Sequence, residues 1–250
     1  MRSRRKKRAA RARLARFLTL LFASVVGGLV VWEALLLRLD NLRDPKEVRV
    51  LTVQTPQGSR QLVVGPQSPY WAPLGAISPG LVLCVVRSED AKFFQHAGFD
   101  WDQVQDSFET DLEEGKYKRG GSTITMQLAR NLFLWRGKSL PRKALEVYLT
   151  WRLEQTLTKR RILELYLNAV EWGPGIYGIG EASRYYFGKP PAALTLGESA
   201  MLAAILPNPL RWNPKRAPQL ALRRQQELLG RLRRENALAD LPVAAEPSRE

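Results

Sequence analysis

The feature that most constrains this chain is the run Phe17–Leu37, 21 residues interrupted by a single charge, Glu33, and placed directly behind a block of cations. At about 1.5 Å per residue, a helix of that length crosses a hydrocarbon core of roughly 30 Å. Glu33 then falls near the outer interface, where a carboxylate reaches water. A cleaved leader would share the charged start, but this apolar run is long and no clear small-x-small site follows it. The reading adopted is one uncleaved transmembrane helix, residues 17–37. Residues 1–16, with nine Arg or Lys and no acid, are its basic cytoplasmic tail, and everything after Leu37 lies on the periplasmic or extracellular side.

The tail also explains the charge. Of the formal net charge of +15, only +6 belongs to the remaining 234 residues. The domain shows no interleaved basic and aromatic pattern, so no nucleic-acid partner is expected. One cysteine, Cys84, cannot form an internal disulfide, and its apolar neighbours place it in the core. One Cys and one His exclude a structural zinc.

Beyond the anchor, residues 38–70 read as a juxtamembrane linker, with a hairpin over Val48–Gln54 and Gln61–Gly65 around Thr55-Pro56-Gln57-Gly58-Ser59. Residues 71–235 read as one mainly α-helical domain and residues 236–250 as a tail. Helices are expected before and after Ser88-Glu89-Asp90, over 100–116, after a Ser122 cap, after Ser139 with Pro141 in the first turn, after Thr158, and over 181–187, 196–206 and 219–235. Leu145, Leu149, Leu153 and Leu157 form the buried stripe of the Ser139 helix. The glycine-rich stretch Glu171–Gly180 reads as a loop.

Three segments carry chemistry, and each has an ordinary explanation. Glu89 and Asp90 could be first-turn acids that complement a helix dipole. His96, the only histidine, fits a hydrogen-bonded structural role better than a base. Gly120-Gly121-Ser122-Thr123 could be a turn and a cap, yet Thr123, Gln127 and Arg130 share one helical face and would line something wet. Arg142, Lys143 and Glu146 could be surface ion pairs worth a few tenths of a kcal/mol. Together, though, they supply two carboxylates, Glu89 and Glu146, with Arg130, Lys138, Arg142 and Lys143 clustered in sequence around the second. Glycoside hydrolysis needs a protonated acid for the departing oxygen. A pyrophosphate leaves as an anion once cations neutralise it, and a carboxylate beside fixed cations is a poor acid. The set fits glycosyl transfer from a pyrophosphate donor better than hydrolysis.

In order and spacing, Glu89-Asp90-x-x-Phe93-x-x-His96-x-Gly98-x-Asp100, Gly120-Gly121-Ser122-Thr123-Ile124-Thr125-x-Gln127-Leu128-x-Arg130-Asn131, Arg142-Lys143-x-x-Glu146 and Lys159-x-x-Ile162-Leu163-Glu164-x-Tyr166-Leu167-Asn168 resemble the motifs of the bacterial peptidoglycan glycosyltransferases, glycosyltransferase family 51. The absence of a Ser-x-x-Lys domain resembles the monofunctional branch. The resemblance implies a lysozyme-like, two-lobed helical domain, a head and a membrane-dipping jaw. It implies Glu89 as the general base and Glu146 as the second essential glutamate, acting at the donor pyrophosphate with Mg²⁺ or Mn²⁺. Substrate contacts would come from Asp90, Ser122, Thr123, Gln127, Arg130, Lys138, Arg142 and Lys143. Implied partners are lipid II, the growing glycan chain, membrane lipid and other cell-wall synthesis proteins. Arg130 replaces the family's common Lys, keeping the charge but favouring bidentate contacts. The acidic span 102–118 suits membrane insertion poorly, leaving Trp101, Phe108 and Phe133-Leu134-Trp135 as the expected lipid contacts. A peptidoglycan hydrolase or lytic transglycosylase and a non-catalytic membrane-anchored scaffold are the rival readings.

Overall fold

The computed structural model describes residues 19, 39–56, 58–105, 121–135, 137 and 139–240. The expected membrane helix lies outside them except for Thr19; among the described residues no helix is long and apolar enough to cross a membrane. The helix expected over 100–116 is described only as far as 105, and 101–105 are helical. The chain forms two compact units, residues 1–44 and 45–250. In the first, residues 39–41 end a helix.

The second unit opens with an antiparallel hairpin, β1 (Arg49–Thr55) and β2 (Gly58–Val64), in which Thr55 pairs with Gly58. The sequence assigned this stretch to a linker, but it is part of the body. Arg60 reaches across to donate to the Gly175 carbonyl (3.1 Å) and to the Glu181 carboxylate. The lead-in that follows is held equally firmly. Ala72 exchanges both backbone groups with the Asn168 side chain (2.9 and 2.8 Å), and Leu74 N–H donates to Glu164 (2.7 Å).

The helices are α1 (Pro79–Glu89), α2 (Ile124–Phe133), α3 (Leu140–Thr156), α4 (Lys159–Ala169), α5 (Ile179–Phe187), α6 (Leu196–Ile205) and α7 (Pro218–Arg234). Two begin on caps that the sequence announces: Ser139 accepts from Arg142 N–H and Thr158 from Arg161 N–H; α6 begins on a further one, where Thr195 forms a reciprocal capping box with Glu198. Between α4 and α5 the stretch expected as a loop contains two short paired strands, β3 (Glu171–Gly173) and β4 (Ile176–Tyr177). Past α7 the expected tail continues in a short 3-10 turn over Ala237–Asp240 with Ala237 buried.

α1 packs on α6, α6 on α7, and α2 lies against both α3 and α4. The core between them contains Leu81, Ile124, Leu128, Leu149, Leu153, Ile162 and Tyr166, all fully buried. Each large side chain so removed from water contributes about 1.5–3 kcal/mol. Cys84 sits among them, its thiol pushed up to about 12 by burial. At the β3–α5 corner the glycines are forced by contact: a Cβ on Gly180 would lie 2.0 Å from the Tyr70 carbonyl oxygen.

Candidate active site

The site begins where α1 stops. Ser88-Glu89-Asp90 resembles the start of a helix, but Pro79 at the first turn and the buried Leu81, Cys84 and Val85 show that the helix began ten residues earlier. Glu89 is its last residue, at the negative end of the helix dipole, and Asp90 is its C-cap. The dipole-complementing role is thereby removed.

Asp90 ties three segments together. Its Oδ1 faces His96 Nε2 at 2.9 Å, and its Oδ2 accepts from Ile124 N–H at 3.0 Å, one of the unpaired donors at the start of α2. Gly98 N–H donates to His96 Nδ1 (3.1 Å), so the ring proton lies on Nε2 and points at Asp90. The histidine is structural, as its sequence setting suggested. Thr123, not Ser122, is the cap of α2: its hydroxyl accepts from Met126 N–H (3.2 Å) and donates to the Gly98 carbonyl (2.7 Å). Asp90 and Thr123 are almost wholly buried with these groups committed, and through them they hold the site's shape. Ser122 precedes the cap and is half-buried.

Against this frame, Glu89 has one oxygen engaged and one not. Gln127 Nε2 donates to Oε2 at 2.8 Å, while Oε1 is shielded and has no hydrogen-bond partner among the described residues. Burial pushes the Glu89 carboxyl up, the Gln127 hydrogen bond and the Arg130 charge pull it partly back, and the Asp90 charge adds to the rise. Gln127 in turn accepts through Oε1 from the hydroxyl of Tyr166 on α4 at 3.1 Å. Tyr166 is fully buried, and its hydroxyl is held well above the ordinary phenol range by that burial and then by the Glu89 charge. The sequence places Tyr166 in a motif but assigns it no task. Its position, three and four residues from the buried Leu163 and Ile162, looks like core.

The second group stands on α3. Glu146 is 1 % exposed, with Lys143 Nζ 2.6 Å from Oε1 and Arg142 Nη1 3.7 Å from Oε2. These pairs are far from a solvated surface set, because the carboxylate is buried and only the Lys143 side chain reaches water substantially (48 %). Lys138 lies outside the described residues. Glu89 at the end of α1 thus groups with Gln127 and Arg130 on α2, and Arg142, Lys143 and Glu146 form another group on α3, which packs against α2. No hydrogen bond or ion pair joins the two groups among the described residues. No set of three or more His, Cys, Asp or Glu there could hold a metal ion unaided.

A buried carboxylate with one free oxygen, set near a helix that presents two cations around a second carboxylate, suits transfer of a group from an anionic leaving group. The family comparison agrees. The sequence profile of the transglycosylase family matches residues 58–233, and the chain belongs to that family: it is a glycosyl-transferring enzyme. Its relatives narrow the class. It is 52 % identical over 153 residues to the biosynthetic peptidoglycan transglycosylase of Nitrobacter winogradskyi, covering 61 % of this chain and 67 % of that protein. It is 44 % identical over 162 residues to that of Laribacter hongkongensis (65 % and 71 %) and 44 % identical over 173 residues to that of Caulobacter vibrioides (68 % and 75 %).

Proposed function

We propose that the chain polymerises lipid II into β-1,4 glycan strands, as a membrane-associated peptidoglycan glycosyltransferase. The observation that carries the reading is Glu89: a carboxyl made more basic by burial, with Oε2 held by Gln127 and Oε1 without a hydrogen-bond partner among the described residues. In the reaction, the acceptor's 4-hydroxyl gives its proton to Glu89 Oε1 as its oxygen bonds to the donor's anomeric carbon from the face opposite the leaving group. The bond from that carbon to the pyrophosphate oxygen breaks, its electron pair leaves with undecaprenyl pyrophosphate, and the configuration inverts. A carboxylate made more basic than usual is suited to this step.

Lys143 and Arg142, fixed by Glu146, meet the pyrophosphate in this reading, and Arg130 and Lys138 add to the same field. Glu146 offers one carboxylate already facing two cations, so a Mg²⁺ or Mn²⁺ ion would need the donor's pyrophosphate oxygens as further ligands; bound there, it would neutralise leaving-group charge. Membrane association has support of its own. Leu140, Val147 and Trp151 are exposed at helical spacing on α3 beside Lys143, with Trp101 and Trp135 exposed as well. Phe133, half-buried, instead stacks under Arg49, and Phe108 lies outside the described residues. The two-lobed head-and-jaw form and the single-pass inner-membrane placement, with the N-terminus inside, belong to the same proposal.

The test is the purified full chain in detergent with labelled lipid II and Mg²⁺ or Mn²⁺. Polymer that is lost in Glu89→Gln and in Glu146→Gln supports the reading. Cleavage of preformed glycan without polymer formation would replace it with a hydrolase.

A further inference from the structure

Gln127 can face Glu89 in two ways, because its amide is nearly symmetric in shape and opposite in chemistry at its two ends. With NH₂ toward the carboxylate it donates a hydrogen bond. With C=O toward it, two oxygens confront each other. Nothing on α2 itself selects between these, since among the described residues no side-chain hydrogen bond joins Gln127 to Thr123 or Arg130, which share its face of the helix. The selection comes from α4: the Tyr166 hydroxyl donates to Gln127 Oε1 at 3.1 Å, and this leaves Nε2 directed at Glu89 Oε2 at 2.8 Å. We propose that Tyr166 is a positioning residue of the reaction, which locks the Gln127 amide in the donating orientation and thereby sets the strength and direction of the Glu89 base.

Three features make the lock effective. Tyr166 is 0 % exposed, so no water competes for its hydroxyl. Burial and the nearby Glu89 charge keep that hydroxyl protonated through the working pH range, so it is a donor throughout. And with Gln127 donating to Oε2, Oε1 is the oxygen of Glu89 that has no hydrogen-bond partner among the described residues. Among the described residues, the groups that face Glu89 are Asp90 on its own segment, Gln127 and Arg130 on α2, and Tyr166 on α4. Of these only Gln127 donates a hydrogen bond to it, and only Tyr166 controls that donor.

The inference rests on Glu89 being the base and is tested apart from it. Tyr166→Phe deletes one oxygen and leaves the ring in place. In the lipid II assay, kcat of the folded variant should fall about tenfold with KM little changed, and the acidic limb of the kcat profile should move to higher pH by about one unit as the Gln127 amide loses its fixed donation. A merely structural tyrosine would lower the melting temperature and the active fraction while leaving that limb where it is, and this result overturns the proposal. Gln127→Met supplies the second arm. With no amide to orient, Tyr166→Phe added to it should cause no further movement of the limb; an equal movement in both backgrounds also overturns the proposal. This pair remains readable even if Tyr166→Phe alone folds poorly, because the hydroxyl then has no amide to lose. Loss of polymer in Glu89→Gln together with a wild-type profile in Tyr166→Phe would reject the inference and leave the proposed function standing; polymer made by Glu89→Gln would reject both.

Discussion

Replacing Asp90 tests whether the site's frame is built as described. Its side chain is fully buried, with His96 Nε2 at 2.9 Å on one oxygen and Ile124 N–H at 3.0 Å on the other. A hydrogen bond to a carboxylate contributes about 1.5–3 kcal/mol, and a buried donor stripped of its partner costs about 1–3 kcal/mol. Asp90→Ala strands two donors at once, for a combined loss of about 3–5 kcal/mol. In a body of this size, 1 kcal/mol corresponds to about 2–4 °C, so the melting temperature should drop by about 6–20 °C. Asp90→Asn keeps one acceptor and turns an amide donor toward the other, and should lose about half as much. Thermal unfolding of the full chain in detergent, followed by circular dichroism, measures both. Hydrogen exchange at the Ile124 amide should accelerate in parallel. An Asp90→Ala protein that melts within about 2–4 °C of wild type would refute the strut, since the two hydrogen bonds would then contribute no more than one ordinary one.

Gly180→Ala should be severely destabilising, by about 3 kcal/mol, because the added Cβ would lie 2.0 Å from the Tyr70 backbone oxygen and the lead-in is pinned by Asn168 and cannot withdraw; Gly75→Ala, with open space around it, is the control, and equal melting temperatures for the two variants would contradict the packing. Glu89→Gln should stabilise the fold in a pH-dependent way. The folded carboxyl is raised above its ordinary 4.5, so as pH rises the unfolded chain releases this proton first; stability falls between about 4.5 and the folded value, and the penalty is complete above it. The variant should therefore melt above wild type at pH 8 and alongside it at pH 4, and a lower melting temperature at pH 8 would show that the carboxylate is not under strain.

Much of this architecture was legible because it is local. Ser139 and Thr158 announce their helices within three residues, and Leu149 and Leu153 mark the buried side of α3 at a spacing that needs no partner to interpret. The hairpin could be placed for the same reason, but its role could not: Arg60 and Glu181 lie 121 residues apart, so nothing near residue 60 says that it is fastened to the body. Glu89 misleads in a related way. Ser-Glu-Asp is a start signal for a helix only if none has already begun, and the Pro79 start competes with it and prevails. The glycines of 171–180 read as loop because glycine density usually means freedom. Here they admit close approach instead: Gly173 meets the Tyr186 hydroxyl and Gly178 the Asn168 backbone oxygen. The motifs named residues that the fold brings together, Glu89 with Gln127 and Arg142 and Lys143 with Glu146, while which of their oxygens were already committed lay in contacts far apart in the chain.

That division is sharpest between Glu89 and Asp90, which follow one another in the chain. Both are carboxylates at the end of α1, and both contribute to one electrostatic neighbourhood. Asp90 has its two oxygens saturated by donors from the loop ahead of it and from α2, and it joins those elements. Glu89 receives one donor among the described residues, itself bonded to Tyr166, and its other oxygen has no hydrogen-bond partner there. Opposed environments around paired titratable groups are how one site separates its tasks. The pairing is also economical in geometry: because Asp90 fixes the start of α2 and α2 carries Gln127, the residue beside Glu89 sets the helix that holds the one hydrogen-bond donor to Glu89 among the described residues. A displacement at Asp90 should therefore reach Glu89 through Gln127 even where the fold survives.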